Sequence, residues 1–175
     1  LGERHGSHDN LTGMRTPIRA ALLAPLLLLA LSACSAAVAL QPAEDATDPD
    51  CARVVVALPD TVAGLEARET NAQGTGAWGS PAYVLLRCGV PAPPPTSAEC
   101  VRLDGIDWIR NSDDDPNFVF TTYGRTPAVE VIIDSDGDPD VDNDGVSGFE
   151  ALTDLSSAVA LIPQTNKCVS PEDAG

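Results

Sequence analysis

Apolar positions along this chain form short runs and one helical stripe, set between segments rich in proline, glycine and aspartate. Asp48-Pro49 has the form of a helix start, an N-cap carboxylate followed by proline at the first helical position. It predicts a short helix from Cys51 to Leu58, stopped by Pro59, although Arg53-Val-Val-Val-Ala-Leu58 is β-rich in composition and leaves a strand as the competing reading. Asn71 to Ser80 reads as a Gly-rich turn, Pro81 to Cys88 as a strand, and Pro91 to Ser97, with four prolines, as an extended loop. Short strands around Cys100 to Leu103 and Ile106 to Ile109 are joined by Asp104-Gly105, a favoured two-residue hairpin turn. Phe118 to Tyr123 and Ala128 to Ile133 form a second strand pair across Gly124-Arg-Thr-Pro127. Phe149, Leu152, Leu155 and Val159 recur at helical spacing and predict a helix from Phe149 to Leu161 with one apolar face on the sheet. The expected class is α+β, a mostly antiparallel sheet with helices on one face and two disulfides.

The N-terminal region carries a different kind of pattern. Residues 1–13 are polar and precede the only methionine, Met14, which reads as the start, with 1–13 a spurious extension upstream of it. Arg15 and Arg19 then form a basic region before Ala20 to Ala33, an uncharged leucine-rich run of 14 residues, too short for a bilayer core that needs roughly 20. The run ends in Leu31-Ser-Ala-Cys34, which resembles a lipobox: a branched apolar residue, two small residues and the cysteine whose sulfur receives diacylglycerol. The expectation is a signal peptide over 14–33, lipidation at Cys34 and a tether over 34–48. A single α+β domain would follow over 49–175, anchored by two acyl chains on the extracytoplasmic face of the cell membrane. An ordinary cleaved signal with a chance cysteine is the alternative, and it also implies export.

Charge and cysteine content sharpen this picture. The part from Cys34 onward keeps seven basic residues against 24 acidic ones, a net of −17. Such a surface repels nucleic acid and anionic headgroups, so the lipid alone would make the membrane contact. With Cys34 acylated, Cys51, Cys88, Cys100 and Cys168 remain, an even number suited to disulfides in an oxidising compartment. The favoured pairing is Cys51 with Cys88 and Cys100 with Cys168, though sequence does not fix connectivity. A zinc site is the rival reading, against which stand the absence of any C-x-x-C pair and of histidine after His8.

Asp48-Pro-Asp-Cys51, Ala57-Leu-Pro59, Ala77-Trp-Gly-Ser-Pro81, Leu86-Arg-Cys-Gly-Val90, Gly105-Ile-Asp-Trp108 and Thr121-Thr-Tyr-Gly-Arg125 together resemble the actinobacterial secreted lipoproteins of domain of unknown function 3515. The resemblance covers nearly the whole part after Cys34. It implies an exported, often lipid-anchored protein and assigns no activity. The Asp134 to Asp144 stretch stands outside the pattern.

Both histidines, His5 and His8, precede the export signal, so no Ser-His or Cys-His pair is available in the domain. Gly74-Thr-Gly76 is too short for a phosphate loop and has no lysine. Asp104 and Asp107 beside Trp108 are a candidate carboxylate pair of the glycosidase kind, weighed against a tight turn and a core tryptophan. Trp78 reads as a core or loop-anchoring aromatic, with an exposed binding role as the alternative. Arg87 and Arg125 could meet an anionic ligand, or stand in structural ion pairs. One segment has metal-ligand spacing. On the 12-residue calcium-loop template Asp140, Asp142 and Asp144 take positions 1, 3 and 5, Gly145 the turn and Val146 the carbonyl ligand. Position 12 is Ala151 instead of a bidentate acid, and Glu150 falls one residue early, so weak calcium binding and a solvated acidic loop both stay open. The functional expectation is a non-catalytic binding or accessory module of the cell envelope, partnered by an unknown envelope protein or ligand. A carboxylate-dependent hydrolase of cell-wall sugars is the alternative.

Overall fold

A computed structural model of the chain describes residues 36–96, 98–111, 118–134 and 145–168. Cys34, the signal peptide and the aspartates at 140, 142 and 144 lie outside the described residues. The first helix begins where Asp48-Pro49 puts it: the Asp48 carboxylate accepts a hydrogen bond from the Asp50 N–H at 2.7 Å, and helix α1 runs Pro49–Val56. Its β-rich composition is overridden by burial at helical spacing, for Cys51 and Val54 are fully buried one turn apart while Val56 at the helix end is 88% exposed. Cys51 is bonded to Cys88, with 5.5 Å between their Cα atoms, which fastens α1 to the centre of the sheet.

The sheet has eight strands: β1 (Thr61–Val62), β2 (Leu65–Arg68), β3 (Thr75–Trp78), β4 (Val84–Val90), β5 (Cys100–Leu103), β6 (Ile106–Asn111), β7 (Phe118–Thr122) and β8 (Ala128–Ile133). Their order is β1-β2-β3-β4-β8-β7-β6-β5, antiparallel at every step. The chain walks from one edge inward to β4, crosses to the opposite edge at β5, and returns until β8 lies beside β4. The proline-rich stretch from 91 to 95 makes that crossing, where a chain short of N–H donors suits a loop better than a ladder. Asp104 and Gly105, at φ 48° and 79°, form the β5–β6 turn as expected, both in the left-handed conformation that this hairpin requires.

Two expectations about the first half of the chain need correction. The stretch expected as a Gly-rich turn contains β3, all four of whose residues are buried. Gly76 is there for close approach: a Cβ would lie 2.7 Å from Leu58 Cδ1 and from Trp78 Cη2. The segment expected as a tether is fastened to the domain from Ala36 onward, its carbonyl accepting from Arg68 Nη2 at 3.1 Å and Val38 bridging Thr70. Asp45 N–H donates to the Gly89 carbonyl at 2.9 Å, and Ala43 and Ala46 pack with Val90 and Ala128 in a small second cluster.

Helix α2 (Gly148–Val159) opens on Ser147, whose hydroxyl accepts from the Glu150 N–H at 3.3 Å. Both helices touch each other and one face of the sheet. On that face the register aligns Trp78, Val84 and Ile133 across three strands, and likewise Leu86 and Val131. These pack with Val54, Leu152, Leu155, Val159 and Ile162 in the main core. Trp78 and Trp108 are its two largest fully buried side chains, and Trp78 Nε1 donates to the Pro59 carbonyl at 3.0 Å. Phe149, expected on the buried stripe of α2, is instead 71% exposed. It stands at the second helical position, in the first turn of α2.

Candidate functional site

The core is not closed everywhere. Alternation along β6 sets Ile106, Trp108 and Arg110 on the helix-side face, and pairing sets Arg110 opposite Phe120 on β7. Phe118, two residues before Phe120, shares that face, and the two rings lie 6.3 Å apart and tilted by 51°. Val101 and Leu103 of β5 approach from the sheet edge; Gly148, Phe149 and Leu152 of α2 form the opposite wall. Between them is a cleft of about 320 Å³, at the lower end of the size range of small-molecule sites. Among the described residues its lining is apolar except for Arg110, whose guanidinium carbon lies 4.6 Å from the centre of the Phe118 ring. Glu99 sits near the same guanidinium at 3.9 Å, too long for a well-formed ion pair.

The residues singled out in the sequence are distributed elsewhere. Asp104 is in the exposed hairpin turn, whereas Asp107 points to the other face of the sheet and is fully buried. Asp107 accepts from Arg102 Nε and Nη2 at 2.6 and 2.9 Å, from Gln164 Nε2 at 2.9 Å and from the Cys168 N–H at 2.8 Å. Burial pushes its pKa up, but the hydrogen bonds from Arg102, Cys168 and Gln164 and the Arg102 charge outweigh it, holding the carboxyl below its ordinary value. A carboxylate so held is an anchor for the C-terminal segment, not a proton donor. Cys168 is also bonded to Cys100, and the Thr165 N–H donates to the Gly124 carbonyl at 2.7 Å.

Arg87 pairs with Glu130 at 3.0 Å across the central ladder. Arg125 is buried and donates to the Ile162 carbonyl; burial lowers its pKa and the Asp107 charge acts against that. Both arginines therefore serve the fold. Of the calcium-loop residues, Val146 and Glu150 are described: the Val146 N–H donates to the Asp134 carbonyl at 3.2 Å, joining the two ends of the acidic stretch, and Glu150 is exposed in the first turn of α2. Among the described residues no group of three or more His, Cys, Asp or Glu side chains is gathered to hold a metal, and no helix is long and apolar enough to cross a membrane.

The cleft itself was missed in the sequence. Its signal was present: Arg110 stands in phase with Ile106 and Trp108, and a charge in the inward phase of a strand marks a place where the core opens.

The described residues form an eight-stranded antiparallel α+β domain with two disulfides and an apolar cleft. The family described as "Protein of unknown function (DUF3515)" matches residues 19–167, and the chain belongs to that family. No curated protein and no solved structure matches it.

Proposed function

We propose that the chain is an exported lipoprotein, held on the extracytoplasmic face of the cell membrane through lipid on Cys34, whose domain binds an apolar ligand in the cleft beneath α2 without transforming it. The observation that carries the address is the cysteine arithmetic. Two disulfides use four of the five cysteines and suit an oxidising compartment, and the fifth, Cys34, follows a basic and then an apolar stretch. Binding is supported by the cleft, a concave site whose described lining is apolar apart from Arg110. The absence of catalysis is supported by the lack of histidine beyond position 8 and by the commitment of Asp107 to four hydrogen bonds.

Mass spectrometry of the N-terminus of protein purified from membranes tests the address. A diacylated Cys34, and release from membranes or failure of processing in Cys34→Ala, are expected; an unmodified terminus beyond Cys34 would overturn it. Displacement of a hydrophobic fluorophore tests the site. Phe149→Ser, at an exposed position, is expected to weaken fluorophore binding severalfold with no loss of stability, and equal binding would move the site elsewhere.

A further inference from the structure

We propose that the domain rides directly on the bilayer surface, with the sheet edge that carries residues 36–40 at the headgroups and the cleft on the opposite edge, away from them; this rests on the lipidation of Cys34 proposed above. The argument is one of chain length. Ala36 is two residues from Cys34, and its carbonyl accepts from Arg68 Nη2 at 3.1 Å. The fastening continues past the end of β2. The Val38 N–H donates to the Glu69 carbonyl at 2.8 Å, the Asn71 N–H to the Val38 carbonyl at 3.2 Å, and the Leu40 N–H to Asn71 Oδ1 at 2.8 Å. Further on the strap has a seat shaped for it: Gly89, at φ 100°, lets Asp45 and Ala46 cross close to β4, where a Cβ would lie 2.4 Å from the Ala46 nitrogen.

Free from Cys34 to Asp48, the segment would let the domain wander about 20 Å from the lipid. Fastened at Ala36, it leaves a leash of two residues, at most about 7 Å long. Such a leash decides which edge lies at the bilayer. Val38 bridges Thr70 just beyond β2, and β5, which lines the cleft, is six strand spacings from β2, roughly 29 Å across the sheet. Charge decides where the far edge points. From Cys34 onward the chain has a net charge of −17, so an anionic bilayer pushes the domain off everywhere but at the fastened edge. At that edge Glu44 and Glu69 are exposed, and the terminal nitrogens of Arg68 donate to the Gly79 and Ala36 carbonyls. The covalent lipid, and not attraction to headgroups, therefore holds the edge down.

The lipidated protein, reconstituted in vesicles of phosphatidylcholine and phosphatidylglycerol, tests this with a nitroxide at one of two exposed positions, through Glu69→Cys beside the strap or Asp104→Cys in the β5–β6 turn. Collision of the nitroxide with a nickel-chelating headgroup lipid is read by power saturation. It is expected to be severalfold stronger at position 69 than at position 104. About twelve Gly and Ser residues inserted between Ser35 and Ala36 leave the fastened segment intact and restore a long leash, and should bring the two positions within about twofold of each other. Equal collision at both positions without the insertion, or a difference that survives the insertion undiminished, overturns the proposal and leaves the anchor standing. An unmodified Cys34 in protein purified from membranes overturns both.

Discussion

Replacing Asp107 with asparagine tests how the C-terminal segment is held. The side chain is fully buried and accepts four hydrogen bonds, two from Arg102, one from Gln164 and one from the Cys168 N–H. Asparagine keeps the shape and loses the charge. If its amide oxygen takes the place of Oδ2, its NH₂ group faces Arg102 Nε, donor against donor. Breaking a fully buried ion pair costs about 3–5 kcal/mol, but Arg102 is 53% exposed and can turn to water, which places the expected loss lower, at about 2–3 kcal/mol. Urea unfolding with the disulfides intact measures it, and Arg102→Gln alone and combined with Asp107→Asn gives the coupling. The pH dependence has a fixed sign. The folded-state pKa of Asp107 is depressed below its ordinary value, so its contribution is complete above the unfolded-state value of about 3.9 and is lost as pH falls through the folded value. The gap between the parent protein and Asp107→Asn should therefore close below about pH 4. A loss under about 1 kcal/mol at neutral pH, or a gap that persists undiminished into acid, refutes the reasoning.

Gly76→Ala should destabilise the domain by about 1–3 kcal/mol, measured by urea unfolding, because its Cβ would meet Leu58 and Trp78 at 2.7 Å in a packed core. Replacing Cys51 and Cys88 together by alanine opens a bridge across 37 residues and should cost about 4 kcal/mol by the loop-entropy relation, seen as a lowered urea midpoint under oxidising conditions. If the acidic stretch holds calcium, melts at millimolar calcium shift upward and Asp140→Ala with Asp144→Ala abolishes the shift; an unchanged midpoint, or a shift that survives both substitutions, removes the site.

Features whose cause is local were legible in the sequence. The Asp48-Pro49 start specified α1, Asp104-Gly105 specified a hairpin turn, and the stripe of Leu152, Leu155 and Val159 specified the buried face of α2. The disulfide pairing, favoured on the placement of strands, agrees with the fold because α1 lies over β4 and the chain end lies beside β5 and β6. What failed depended on neighbours distant in sequence. Glycine in Thr75-Gly-Ala-Trp78 suggested a turn, yet Leu58 and the Trp78 ring come so close to Gly76 that glycine is required inside a central strand. Likewise Asp107 is written like any polar strand residue, and only the return of Gln164 and Cys168 makes it an anchor.

The cleft follows from a mismatch of lengths. Eight strands spaced by about 4.8 Å make a sheet roughly 34 Å wide. Helices of eight and twelve residues at about 1.5 Å per residue extend roughly 12 and 18 Å. Two such rods, the helices among the described residues, do not by themselves span the face. The disulfide from Cys51 to Cys88 holds α1 over the β4 side, and α2 packs along β8 with contacts to β1 and β5, its first turn ending above β7. The corner left over lies between Val101, Arg110, Phe118 and Phe149. A corner required only for solubility would be lined with polar side chains, since burial imposes nothing on it. Among the described residues this one is lined by Val101, Leu103, Phe118, Phe120 and Phe149 around the Arg110 guanidinium, with Phe149 largely exposed. On the binding reading proposed above, a ligand seated in that corner would complete the apolar packing that the two helices leave unfinished.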